Sequence, residues 1–376
     1  MATAGHRIEP PFQGFDTPLL LSVLFLTGVG IVMVYSASSA IASNLFGNDY
    51  FFLRKQAISA CLGAVVLIGT AMTPYRIYQR LAYIFLAISA VLIIATQIPG
   101  IGHTAGGASR WIRLGWCSLQ PSELARLSMV IYLAYSLTKK QEFIKEFSIG
   151  FLPHVMFFLI FAILIMLQPD FGSVAILAMI TWIMMFVGGV SLVHLALSLL
   201  PLVPAAIFIV FSASYRMERI LGYLDPWKHR SDQGYQIVNS LMAFGSGGFW
   251  GKGLGNGYQK LFYLPEPHTD FIFAVIGEEL GLWGVLAILG VFVVVVIRGI
   301  TIARNTRDLF GSLLATGLAT GIGLQVAINM GVALGLLPTK GLALPFLSYG
   351  GSSLLINMAA VGILINIAKT GNNVRT

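Results

Sequence analysis

The chain has 376 residues, 57% of them hydrophobic and only 10% charged, with a mean hydropathy of +0.83 and a formal net charge of +8. A water-soluble domain keeps about a quarter of its residues charged, so this composition excludes an ordinary soluble enzyme. The basic excess does not mark a nucleic-acid binder, because its Lys and Arg residues lie at the ends of apolar runs and in loops, not on one soluble face.

A helix needs about 20 apolar residues to cross hydrocarbon. Runs of that kind occur at 17–42, 51–72, 79–98, 122–138, 149–168, 171–190, 192–213, 271–298, 308–337 and 342–369. The first is too long for the apolar region of a signal peptide and has no clear small-residue cleavage site, so it reads as a retained span. The sixth and seventh are separated only by Gly188, Gly189, Val190 and Ser191. Pro345 and the Gly350–Gly351 pair interrupt the last, which predicts a re-entrant start to that segment. The predicted fold is all-α: a polytopic integral membrane protein with about ten transmembrane helices, a single membrane domain over 1–376, and a long outer loop at 214–270. Cys61 in an apolar run and Cys117 in a polar loop predict two unpaired thiols. The chain shows no internal repeat of fixed period.

Ten spans put both termini on one side. If that side is the cytoplasm, 11 of the 23 Lys and Arg residues fall in short inner segments, among them Arg76, Lys139, Lys140, Arg304 and Lys369, as the positive-inside rule requires. The other 12 fall on the outer side. The long loop escapes the rule, but Arg110, Arg113 and Arg126 do not. Cations placed against the topological preference suggest an anionic ligand at the outer face, with headgroup contact and snorkelling as the plainer alternative.

In chain order, the first candidate segment is 106–127. Ser122 can cap the next helix, and Glu123 and Arg126 lie three apart on one helical face, where they can pair. Trp111 and Trp116 suit an interfacial belt, while Arg110 and Arg113 beside them have the chemistry to clamp a phosphate. Asp170 in the Gln168-Pro169-Asp170 turn can cap the helix that follows. The long loop opens on an amphipathic stretch, 214–227, predicted to lie along the membrane surface, followed by a second helix at 232–244. The glycine-rich stretch 245–257 matches neither a dinucleotide fingerprint nor a Walker loop, and reads as a mobile loop that permits close backbone approach. Glu266, His268 and Asp270 then stand just before a strongly apolar helix. Asp270, at the outer mouth of that helix, is either a general base or the helix cap. Glu278 and Glu279 lie two turns deeper, and intramembrane carboxylates are candidates for function by default. Lys340, in an outer turn ahead of LALPFLSYGGSSL, either marks the interface or completes an anion site with Asp270 and Arg110.

The stretches KLFYLPEPHTDFIFAVIGEELG, LPTKGLALPFLSYGGSSLL, GGASRWI followed by QPSE, and QPDFGS together resemble the SEDS family (shape, elongation, division and sporulation), and its FtsW-like division branch more than its RodA-like elongation branch. The resemblance runs over nearly the whole chain in the same order. It implies a peptidoglycan glycosyltransferase of the plasma membrane that polymerises lipid II at the outer face. It also implies a class B penicillin-binding protein and other division-complex membrane proteins as partners, a site at the division septum, and a divalent cation, Mg or Mn, with no ligand set evident here. The essential acid of the family lies in HTDF and falls on Asp270. Arg110, Glu123, Arg126, His268 and Lys340 are the expected substrate-binding residues, and Asp270 the expected catalytic one. A lipid II flippase and a non-catalytic division scaffold are the competing readings.

Overall fold

The structure, a computed structural model, describes residues 16–105, 108–114, 117–211, 214–232, 234–261, 264, 266–339 and 341–372. Among the described residues seven helices are long and apolar enough to span a membrane: α1 (Thr17–Phe46), α2 (Phe51–Met72), α3 (Arg76–Ala95), α5 (Leu152–Met166, extended by a π turn at Phe147–Phe151), α10 (Ile272–Asn305), α11 (Leu309–Ala333) and α12 (Gly351–Asn372). The other three apolar runs form α4 (Pro121–Lys139), α6 (Phe171–Val187) and α7 (Leu192–Phe211). Helix α4 carries Glu123, Arg126 and Lys139 within 19 residues and α6 has only 17, which accounts for their weaker span signal; α7 is an uncharged apolar helix of 20 residues with Pro201 and Pro204 in its interior. The long loop folds into α8 (Ser214–Leu224) and α9 (Tyr235–Gly247), in line with the two helices read from its pattern.

One element was not foreseen. The segment expected to be a plain outer loop forms a three-stranded antiparallel sheet of β1 (Gly102–Ala105), β2 (Ala108–Leu114) and β3 (Cys117–Leu119). Its register pairs His103 with Trp111 and Ile112 with Leu119. Ile112 is buried while Arg113 beside it is exposed, the alternation a half-covered strand requires.

Polar contacts between sequence-distant residues gather at the two ends of the bundle. At one end Arg298 pairs with Asp16 at 2.7 Å, the N–H of Tyr75 donates to Asn366 Oδ1 at 2.9 Å, and the Tyr75 hydroxyl donates to Asp308. At the other end Gln168 donates to Thr96 Oγ1 at 2.6 Å, Gln120 N–H to Ser352 Oγ at 2.9 Å, and Gln56 to the Ser348 carbonyl at 3.3 Å. This segregation is what alternating passes from Asp16 to Asn372 produce, with both ends of the described chain on one side. Between the ends, apolar side chains face outward: Leu286, Leu289, Val293, Ile297 and Ile300 form a lipid-facing stripe on α10.

The predicted re-entrant segment is present. Residues 341–350 are non-helical, yet Leu342, Leu344, Phe346 and Leu347 are buried, and the helix starts only at Gly351. Irregular backbone at this depth survives because protein covers it. α1 crosses it at Gly30, where a Cβ would stand 2.5 Å from the Phe346 carbonyl oxygen, so only glycine fits.

Candidate active site

Helix α10 is two pieces. At Gly281 the backbone turns to φ 67°, ψ −166°, which separates a buried half-helix, Ile272 to Leu280, from the lipid-facing remainder. A left-handed φ favours glycine there. The break is satisfied by exchange of hydrogen bonds with the glycine-rich loop. Leu282 N–H donates to Gly248 O at 2.9 Å instead of to its own helix, and the carbonyls of Glu278 and Glu279 accept from Lys252 and Gly253 N–H, each at 3.0 Å.

At the N-terminal end of this half-helix stands Asp270. Three successive carbonyls there are each held by a donor from α11 or the re-entrant segment. Tyr349 N–H donates to His268 O at 2.8 Å, Ser348 Oγ to Thr269 O at 2.6 Å, and Asn329 Nδ2 to Asp270 O at 3.0 Å. Asn329 Nδ2 also donates to Leu342 O at 2.6 Å, which ties the re-entrant segment to the same point. The Asp270 side chain is partly exposed and faces Gly341, where a Cβ would come within 3.4 Å of Oδ2. The cap residue of α10 is Phe271, and among the described residues no side chain caps this helix. The backbone that carries the Asp270 carboxylate is thus fixed at the N-terminal end of the half-helix.

His268 lies between the rings of Phe52 and Tyr349, with centroids 4.5 and 5.5 Å away. It is outside the spanning helices and only 6% exposed, and burial pushes its pKa down to about 4. The ring is neutral near neutral pH, so it packs between Phe52 and Tyr349 and offers no charge to an anion.

The Glu123–Arg126 pair exists, at 2.7 Å, but it is interior. Arg126 also donates to Gln325 Oε1 and, at 3.3 Å, to Asn357 Oδ1. Gln325 Nε2 in turn donates to Ala343 O at 3.0 Å, so this network supports the re-entrant segment from below. Small cavities of about 20 and 10 Å³ flank Arg126, each close to the size that one water needs. Arg110 spends its guanidinium on carbonyls, Nε on Gln168 at 2.9 Å and Nη2 on Pro169 at 2.6 Å. Asp170 caps α6 as expected, accepting from Ser173 N–H at 3.1 Å. Ser122 is no cap: Pro121 already occupies the first helical position after Gln120, and the buried Ser122 hydroxyl has no hydrogen-bond partner among the described residues. Lys340 lies outside the described residues. Asn329, Ser348 and Gln325, which the sequence reading missed, carried a usable signal as single polar residues in apolar runs.

The expected mobile loop at 245–257 is instead tied down on two buried carboxylates. Glu278 Oε1 accepts from Lys252 Nζ at 3.0 Å and Tyr258 N–H at 2.9 Å, and its Oε2 from Gln259 N–H at 3.1 Å. Glu279 accepts from Lys260 Nζ at 2.5 Å, Ser36 Oγ at 2.7 Å and Gly255 N–H at 3.2 Å. The close backbone approach expected of these glycines is present: a Cβ at Gly251 would lie 2.2 Å from Glu279 O.

The profile of the family described as Cell cycle protein, covering FtsW, RodA and SpoVE, matches residues 17–373. The chain is 48% identical over 363 residues to the probable peptidoglycan glycosyltransferase FtsW of Trichlorobacter lovleyi, covering 96% of this chain and 95% of that one. It is 40% identical over 354 residues to stage V sporulation protein E of Bacillus subtilis, covering 94% and 97%. Among solved structures it is similar to a chain of a peptidoglycan synthase complex studied for the coordination of polymerization and crosslinking, with TM-score 0.79, 28% identity and coverage of 95% and 98%. It is also similar to the rod shape determining protein RodA of Thermus thermophilus, with TM-score 0.70, 26% identity and coverage of 96% and 98%. With a broken helix that presents the HTDF acid, and with sequence matched from the first span to the last, the chain belongs to the SEDS family of FtsW, RodA and SpoVE, on its FtsW-like branch.

Proposed function

We propose that this chain is a peptidoglycan glycosyltransferase that polymerises lipid II, with Asp270 as the general base. The observation that carries the reading is the threefold grip on the carbonyls of His268, Thr269 and Asp270, which fixes the backbone that presents the carboxylate at the N-terminal end of the half-helix. Asp270 takes the proton from the acceptor sugar hydroxyl as its oxygen attacks the anomeric carbon of the donor. The bond from that carbon to the pyrophosphate breaks, and undecaprenyl pyrophosphate leaves with the electron pair. A glycosidase needs a second carboxyl to protonate its leaving group; pyrophosphate leaves as a stable anion, so one carboxylate suffices. Direct attack inverts the α-linked donor into a β-linked polymer. Lys340, next to Gly341 in sequence, is the cation assigned to the pyrophosphate. Arg110 is assigned to holding the α5–α6 turn, because two of its five N–H donors bind the Gln168 and Pro169 carbonyls.

Among the described residues no group of three or more His, Cys, Asp or Glu side chains converges. A divalent cation, Mg or Mn, enters the proposal as an ion held chiefly by the substrate pyrophosphate with one or two protein carboxylates, and no step here runs through it. The reading includes a single membrane domain over 1–376 whose 214–270 segment is the outer loop, a place in the bacterial plasma membrane at the division septum, and cytoplasmic termini; the basic residues of the short inner segments support that orientation. A class B penicillin-binding protein is the proposed partner, together with other division-complex membrane proteins. Likeness to a chain of a peptidoglycan synthase complex supports this. The flippase reading drew on Glu278 and Glu279, but both acids are committed to lysines and backbone N–H groups.

The test is full-length Asp270→Asn, purified with its partner and given lipid II. No glycan chains should form, while a parallel assay with fluorescent lipid II detects any flipping. Normal chain formation by that variant overturns the assignment, and flipping without polymerisation by the wild type would favour transport.

A further inference from the structure

The two buried acids of the half-helix have no part in the reaction above, and their surroundings give them one. The backbone leaves Lys260, runs through the outer turn to Asp270, and descends the half-helix to Glu279. There the Lys260–Glu279 ion pair, 2.5 Å long and at most 6% exposed on either side chain, closes the path into a ring. Asp270 stands at the top of this ring, roughly 13 Å above the pair at 1.5 Å per helical residue. The pair does not stand alone. Ser36 of α1 donates to both oxygens of Glu279, at 2.7 and 2.8 Å, and Lys260 also donates to Ser36 Oγ at 2.9 Å. One residue earlier, Glu278 binds Lys252 and the N–H groups of Tyr258 and Gln259, which fixes the loop just before Lys260. Two anions and two cations meet, so the cluster is neutral overall and every carboxylate oxygen has a donor.

We propose that Lys260 and Glu279 are positioning residues for Asp270. They clamp the foot of the half-helix and the start of the outer turn together, so that the carboxylate at the top meets the acceptor hydroxyl at a fixed height. The inference rests on the assignment of Asp270 as base. A buried pair with one partner removed leaves the other charge uncompensated, so a single variant carries the risk of misfolding. The double variant Lys260→Met/Glu279→Gln removes both charges at once and keeps the cluster neutral.

The experiment uses the full chain with its transpeptidase partner in nanodiscs, and lipid II as substrate. Lys260→Arg, the double variant, Asp270→Asn and Arg298→Gln are compared with wild type for thermal midpoint, kcat and KM. Arg298→Gln breaks an ion pair at the opposite end of the bundle and controls for loss of any such pair. A displacement of about 1 Å at a reacting group can cost about 100-fold in rate, so the double variant is expected to lose 10- to 100-fold in kcat with KM within about twofold. Lys260→Arg should recover most of the rate, and Arg298→Gln should keep its kcat. The inference is overturned if the double variant keeps wild-type kcat, or if its whole loss lies in KM. If instead Asp270→Asn polymerises normally, the proposed base has failed, and that outcome is separate from failure of the clamp.

Discussion

Asn329→Ala is the sharpest test of how the half-helix is held. Asn329 is 2% exposed, and its amide nitrogen is shared between Asp270 O at 3.0 Å and Leu342 O at 2.6 Å. Truncation leaves both carbonyls without this donor. At about 1–2 kcal/mol for each unmet buried group, the folded state loses roughly 2–4 kcal/mol. The same change removes one of the three tethers on the 268–270 carbonyls and uncouples Asp270 from the re-entrant segment. We expect a lower thermal midpoint for the purified protein and a fall in kcat of about tenfold, with KM for lipid II nearly unchanged. Tryptophan-fluorescence melting and a glycan-chain assay on the same preparation read both. A variant with wild-type midpoint and wild-type kcat would refute the argument that this side chain fixes the acid.

Two further outcomes follow from particular side chains. Burial lowers the His268 pKa from 6.5 in the unfolded chain to about 4 in the folded one. Protons therefore bind the unfolded state first. The stability from this site is full above pH 6.5 and drains away as pH falls toward 4, by about 3 kcal/mol in all. His268→Phe should flatten that slope in melting curves between these pH values; an unchanged slope would show that other groups produce it. Ser122→Ala tests the corrected start of α4. A capping serine loses about 1 kcal/mol on this change, whereas a buried hydroxyl without a partner loses nothing or gains a few tenths of a kcal/mol. A clear drop in thermal midpoint would restore the cap.

The apolar runs made the helices readable, because hydrocarbon imposes one demand on length and polarity that most of these runs meet outright. The β-sheet at 102–119 escaped notice because its alternation is short and lies among interfacial aromatics that had another explanation. Asp170 was legible as a cap from its own turn, but Ser122 was not, since Pro121 moved the helix start by one residue. Asp270 was singled out by its place just ahead of a strongly apolar helix. What holds it was hidden, because Ser348, Tyr349 and Asn329 come from segments far along the chain. The lysines that neutralise Glu278 and Glu279 precede them by 26 and 19 residues across a glycine-rich loop, and pattern alone gives no means of pairing them. The glycines suggested freedom, whereas several are there because a backbone must pass close to another backbone.

The break at Gly281 also orders the assembly of the molecule in time. The loop that satisfies the broken helix, 248–260, leaves the ribosome before the helix it will bind. Until Leu282 and Trp283 arrive, the carbonyls of Gly248 and Phe249 have only water as a partner. Lys252 and Lys260 likewise keep their water until Glu278 and Glu279 are in place. The outer loop is therefore the last part of this region to fold, and it folds onto a span already inserted. A chain stalled just after Leu280 would already carry its candidate base on the half-helix, with the carbonyls of Gly248 and Phe249 still awaiting Leu282 and Trp283.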